Sequence, residues 1–255
     1  MINPSSRALN ILKELKVTNL KNVDIEDIYA LKGIFYEESI LLGSQARIVS
    51  TPNYSKITLN SALTYKNQKR FAQAHELGHY ELHRETKVIC DNEKSFFDYH
   101  QKGGQEVEAN EFTSELLMPR KYFKDYVTNK TFNLDLIKDI ADYFETSITS
   151  TAIKYSDFGH EYIGIIFSQD GKIKWVRINQ NLPLQFIQIG LSVPEHSVVS
   201  DFYKSKSVPK TPVLLDAFIW FFSDFKISDY VKAKIYEQVF PFESINSALS
   251  FLWFK

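Results

Sequence analysis

The stretch from Lys69 to Arg84 contains no proline and one glycine, and Phe71, Ala74, Leu77 and Leu82 recur at the spacing of a helix of about four turns. Within it stands His75-Glu76-Leu77-Gly78-His79, the HExxH pattern. Positions i and i+4 lie on one helix face about one turn apart, so both imidazoles can converge on a single ion, with Glu76 beside them to meet a bound water. A catalytic zinc site takes three protein ligands and leaves the fourth position for water, so the chain must supply one more.

Three residues compete for that place. His83 extends the i+4 series, but a straight helix climbs roughly 12 Å over eight residues. Three imidazoles so spaced cannot all reach an ion at about 2 Å. His83 is therefore expected to be structural or at the surface. Glu106 and Glu108 follow on a second helical stretch, Glu106 to Leu117, which stops at Met118-Pro119. They are two positions apart and face different ways. Ala109 and Thr113 follow Glu106 at i+3 and i+7, a small-residue stripe that lets this helix approach the HExxH helix, whereas Glu108 shares its face with Phe112 and Glu115. Glu106 is the expected third ligand and Glu108 the alternative. Asn110, one turn beyond Glu106, is a candidate to orient a ligand imidazole through its second ring nitrogen.

Composition sets the class of chain that carries this pattern. At 255 residues, 44% hydrophobic and 24% charged, with 9 glycines and 8 prolines, it is a folded protein of one large or two modest domains. Lys plus Arg number 30 against 31 Asp plus Glu, so no global basic field favours non-specific nucleic-acid binding. The one cysteine, Cys90, has no internal partner for a disulfide and is expected to be structural. Met1 to Leu12 lacks the pattern of a secretory signal, and the most apolar run, Val213 to Phe222, is interrupted by Asp216 and shorter than the roughly 20 residues a membrane span needs. A cytoplasmic location is expected.

Helical spacing recurs around Leu9, Leu12 and Leu15, with Ser5 and Ser6 as caps, and again from Val23 to Leu31. Ile34 to Tyr36, Arg47 to Ser50 and Lys56 to Asn60 read as short strands of a small sheet. Lys56 to Asn60 is a candidate edge for pairing with an extended substrate. Residues 85–104 read as a long loop, and Leu134 to Tyr155 as a helix pair. After Gly159, Tyr162 to Ser168 and Lys172 to Ile178 read as a hairpin through Gln169-Asp170-Gly171, with helices expected over Leu214 to Phe225 and Tyr230 to Val239. A domain boundary is placed near residue 158, separating a metallopeptidase domain over 1–158 from an α+β accessory domain over 159–255. The aromatic run Phe218, Trp220, Phe221, Phe222 and Phe225 is read as core.

Phe71-Ala72-Gln73-Ala74-His75-Glu76-Leu77-Gly78-His79 through Leu82-His83, then Glu106-Val107-Glu108-Ala109-Asn110-Glu111-Phe112, then Leu116-Leu117-Met118-Pro119, resemble the ImmA/IrrE family of zinc metallopeptidases. The likeness covers residues 20–157. It implies an α+β protein with a compact gluzincin-like catalytic domain, one zinc held by His75, His79 and Glu106, and Glu76 as catalytic base. It also implies a narrow protein substrate, a helix-turn-helix repressor or antitoxin-like regulator. Thr113 stands where the family commonly has alanine. Tyr80, Tyr99 and His100 are candidate donors to the oxyanion.

Two other readings compete. Leu136 to Tyr155, turning at Phe144-Glu145-Thr146-Ser147, has the proportions of a helix-turn-helix, although its second helix carries Lys154 as its one base, which disfavours reading base edges. The other is a partner-binding regulatory module whose metal is structural. A glutamate that ligates nothing between two histidines argues against it.

Overall fold

The computed structural model describes residues 3–17, 23–84 and 104–255, and the fold is mixed α+β, as expected. Contacts divide the chain into two compact units. One is Met1–Phe123 with Ala141–Ser147, the other Lys124–Ile140 with Ile148–Lys255. The second unit thus takes in helical segments that precede residue 158.

In the first unit, α1 (Pro4–Glu14) starts from Asn3, whose side chain accepts from the Ser6 amide, so Asn3 rather than Ser5 or Ser6 is the cap. It buries Ala8, Ile11 and Leu12. α2 (Ile25–Lys32) is capped by Asp24 and ended by Gly33 at φ 66°, a left-handed position that glycine takes without strain. Its inner face is Ile25, Ile28 and Tyr29, while Leu31 points to solvent. β1 (Phe35–Ser39), β2 (Ala46–Thr51) and β3 (Tyr54–Asn60) make a sheet ordered β1-β3-β2. β1 runs parallel and β2 antiparallel to β3. β3 is therefore the central strand, paired on both sides. The substrate edge expected at Lys56 to Asn60 is not available, because a hairpin partner and a parallel neighbour have taken its hydrogen bonds. Alternation along β3 buries Ser55, Ile57 and Leu59, and β2 and β3 pack against α3 (Lys66–His83).

α3 lies among α1, α2, the sheet and α4 (Gly104–Leu117). Glu81 on α3, nearly buried, ties it to α1 through Arg7 at 2.5 Å and to α2 through Lys32 at 3.1 Å. A helix not read from the sequence, α5 (Arg120–Val127), begins directly after Pro119. Pro119 accepts the Phe123 amide at 2.9 Å, so the proline ends one helix and starts the next.

α6 (Leu134–Phe144) and α7 (Ile148–Phe158) form the expected helix pair. The second unit's sheet is antiparallel, ordered β5-β4-β8-β7-β6, from β4 (Gly164–Gln169), β5 (Lys172–Ile178), β6 (Val213–Asp216), β7 (Lys234–Phe242) and β8 (Ser247–Phe254). β4 and β5 form the expected hairpin, with Asp170 at φ 52° and Gly171 at φ 73°. Two helix expectations are overturned. Leu214 to Phe225 is strand β6 followed by the short α9 (Ala217–Phe221). Tyr230 to Val239 runs into β7, where ladders to β6 and β8 and the burial of Ile235 and Val239 prevail. α8 (Val198–Ser205) packs on β7, and the buried Glu237 carboxylate accepts the first two amides of that helix, the Trp220 indole and the Ser250 hydroxyl. The aromatic run divides: Trp220 and Phe221 are core, but Phe218, Phe222 and Phe225 are exposed.

Candidate metal centre

α3 carries His75 and His79 on one face, both buried, with Nε2 atoms 3.1 Å apart. Glu106, in the first turn of α4, reaches both. Its Oε2 lies 3.4 Å from His75 Nε2 and its Oε1 3.3 Å from His79 Nε2. Four ligands at 2.0–2.1 Å in a tetrahedron stand about 3.3 Å from one another. The two imidazole nitrogens stand near that spacing from each other, and each faces one oxygen of the Glu106 carboxylate at about the same distance; one ligand atom from each of the three residues lies within 4.8 Å of the others. Two imidazole nitrogens and a carboxylate also match zinc in kind, so the residues present fit the ion.

Electrostatics favour the same use. Hydrogen bonds from His75 and then His79 hold the Glu106 carboxyl well below the usual carboxylate range. Burial pushes the His79 imidazole down, against the opposing pull of Glu106, which favours the neutral form that a metal ligand needs.

The meeting of the two helices rests on small residues. A Cβ added at Gly78 would stand 3.0 Å from Phe112 Cδ1, 3.2 Å from the Ala109 carbonyl oxygen and 3.3 Å from Ala109 Cα. Thr113 is fully buried, and its hydroxyl donates back to the Ala109 carbonyl at 2.7 Å. The stripe expected after Glu106 is thus the line of approach to α3.

Glu108 goes elsewhere. Its Oε2 lies 2.8 Å from His83 Nε2, and His83 Nδ1 lies 3.1 Å from His79 Nδ1. His83 is buried rather than at the surface, and its ring nitrogens face His79 Nδ1 and Glu108, so it backs His79 from the side away from Glu106. At His79, the role of orienting a ligand imidazole, for which Asn110 is a candidate from the sequence, is taken by His83. The i+4 spacing from His79 was the sequence signal for His83.

Glu76 is buried on α3, next to His75 in the chain. Its charge reaches the phenol of Tyr29, which burial first and Glu76 second push upward, and which donates to the Gln73 carbonyl at 2.7 Å. Tyr80 is buried, and its oxygen accepts from Arg84 at 3.0 Å. Tyr99, His100 and Cys90 lie outside the described residues. On α7, Lys154 is buried and lies over the Phe158 ring, so the one base of the supposed reading helix is not presented to DNA.

An α+β unit in which an HExxH helix and an acidic helix share one metal-fit cluster is a zinc-protease-like domain. Residues 43–156 match the family model of the IrrE N-terminal-like domain. No curated protein matches the chain. Among solved structures, a Mycobacterium tuberculosis transcriptional regulator is similar at a TM-score of 0.59 and 11% identity, over 98% of this chain and 75% of that one. At that identity the likeness is one of fold.

Proposed function

We propose that the chain is a zinc-dependent endopeptidase that cuts a specific protein substrate, a helix-turn-helix repressor or antitoxin-like regulator, in the cytoplasm. The observation that carries this reading is the convergence of His75, His79 and Glu106, one ligand atom from each within 4.8 Å of the others, with a buried Glu76 next to His75 in the same helix. One zinc per chain, held by those three residues, would lower the pKa of its bound water and polarise the scissile carbonyl. Glu76 accepts the proton of the attacking water and returns it to the leaving amine nitrogen as the C–N bond breaks. Burial of these groups keeps bulk water from competing for that proton. A second domain over 159–255 is assigned substrate or signal recognition. None of the described helices is long and apolar enough to cross a membrane.

Elemental analysis of the wild type, Glu106→Ala, Glu108→Ala and Glu76→Gln tests the site. The expected result is one zinc per chain, lost in Glu106→Ala and retained at micromolar zinc in the other two. Mass spectrometry on a panel of folded helix-turn-helix repressors, beside unstructured casein, tests the activity. Cleavage of one or few repressors at a single bond, abolished in Glu76→Gln, is expected. A wild type that takes up no zinc, or a Glu76→Gln variant that cuts as well as the wild type, overturns the reading.

A further inference from the structure

The ring nitrogens of His79 and His83 and the carboxylate of Glu108 stand in series. His79 Nδ1 is 3.1 Å from His83 Nδ1, and His83 Nε2 is 2.8 Å from Glu108 Oε2. An ionised carboxylate only accepts, so the short contact at Glu108 requires a proton on His83 Nε2. A neutral imidazole carries one proton, which leaves His83 Nδ1 as a lone pair. Facing it at hydrogen-bond distance, His79 Nδ1 must then be the donor. That is where the one proton of a neutral His79 stands once Nε2, which faces His75 Nε2 and Glu106, holds an ion.

We infer that Glu108 and His83 form a two-step hydrogen-bond relay that fixes His79 as the Nδ1–H tautomer, with Nε2 presented for metal binding. His83 and Glu108 are positioning residues that touch neither ion nor substrate. The relay rests on the zinc reading above: an ion on Nε2 leaves the His79 proton on Nδ1, where His83 accepts it, whereas without the ion the Glu106 carboxylate competes for that proton at Nε2. It also gives the HExxH helix's third histidine and the second glutamate of α4 a use that neither has as a ligand. His83 is buried and Glu108 about one-third exposed, with 35% of its side chain accessible, so the outer end of the relay meets solvent while the inner end does not.

The test uses the full chain in two measurements. In zinc-loaded protein labelled with 15N-histidine at pH 8, the ring nitrogen shifts report which nitrogen of each histidine carries the proton. His83 is assigned by difference against His83→Gln. The expected result is a proton on Nε2 of His83 and a lone pair on its Nδ1, and a proton on Nδ1 of His83 overturns the relay. Zinc affinity by competition with a chelator is the second readout. His83→Leu and Glu108→Ala are each expected to weaken binding about 10- to 100-fold, and the double variant no more than the larger single one. His83→Gln is expected to recover most of the loss, because its amide oxygen can accept from His79 while its NH2 donates to Glu108. A merely structural histidine would show no such rescue. Wild-type affinity in His83→Leu overturns the inference. If His83→Leu fails to fold, His83→Gln and Glu108→Ala, which change a polar or partly exposed side chain, carry the comparison. Absence of zinc from the wild type itself would overturn the metal reading and the relay with it, whereas a zinc-loaded protein with His83 protonated on Nδ1 overturns the relay alone.

Discussion

Gly78→Ala sets two effects of similar size against each other in the helix that carries both histidines. In an unconstrained helix interior the change stabilises by about 1 kcal/mol, because alanine has less backbone freedom to lose. Here the new Cβ would stand 3.0 Å from Phe112 Cδ1 and 3.2 and 3.3 Å from backbone atoms of Ala109. Carbon contacts are relaxed at about 3.5–4.0 Å, so the shortfall is about half an ångström. Phe112 is fully buried and Ala109 is in mid-helix, so neither yields without moving α4. Overpacking of this kind costs about 1–3 kcal/mol. The balance is a destabilisation of about 1 kcal/mol, a fall of about 2–4 °C in melting midpoint. Glu106 is one turn before Ala109 on the same helix, so any displacement of α4 also moves a carboxylate away from the imidazoles. Zinc affinity is expected to fall about tenfold, the lower end of what a disturbance outside the ligand set costs. Calorimetry and chelator competition read the two effects. Gly104→Ala, where nothing among the described residues lies within 4 Å of the added carbon, is the control and is expected to match the wild type in zinc affinity. A Gly78→Ala protein that melts higher and binds zinc as tightly as the wild type would refute the argument that close helix approach sets the site.

Other perturbations have equally definite signs. In metal-free protein, His79 is held below its ordinary pKa by burial and Glu106 by the imidazoles facing it, so the unfolded chain takes up protons at higher pH than the folded one at both residues. Stability is therefore expected to fall with acidification below about pH 6.5 and further below about pH 4.3, as read from urea midpoints. A rise in stability between pH 7 and 5 would contradict this. Glu237→Gln turns an NH2 group toward two of the four donors now served by the buried carboxylate. It is expected to cost about 2–4 kcal/mol, and a melting point within a degree of the wild type would disprove that role. Glu81→Ala leaves Arg7 and Lys32 without their shared, nearly buried partner and is expected to cost about 2 kcal/mol while zinc content stays at the wild-type level. Loss of zinc in that variant would place Glu81 in the site rather than in the scaffold.

Where an assignment depended on a single element, the sequence was enough. His75 and His79 share a face because a proline-free helix fixes the i, i+4 relation wherever it packs. Asp170-Gly171 makes the β4–β5 turn because both residues tolerate positive φ. The small-residue stripe beside Glu106 foretold a close helix approach. Assignments that compare elements were made only by the fold. Glu106 and Glu108 are both acidic and two positions apart. Which one meets the imidazoles depends on the rotation of α4 about its axis, and the packing of Ala109 on Gly78 sets that rotation. His83 is buried against His79 and Glu108, and Lys154 is buried over Phe158, although neither residue type announces burial in a sequence. β3 has no free edge because β1 joins it from the other side of the hairpin, and β7 is a strand because β6 and β8 flank it. Periodicity is carried by neighbouring residues along the chain, whereas facing, edge and ladder are relations between segments far apart in it, settled by which combination of buried surfaces and hydrogen bonds has the lowest free energy.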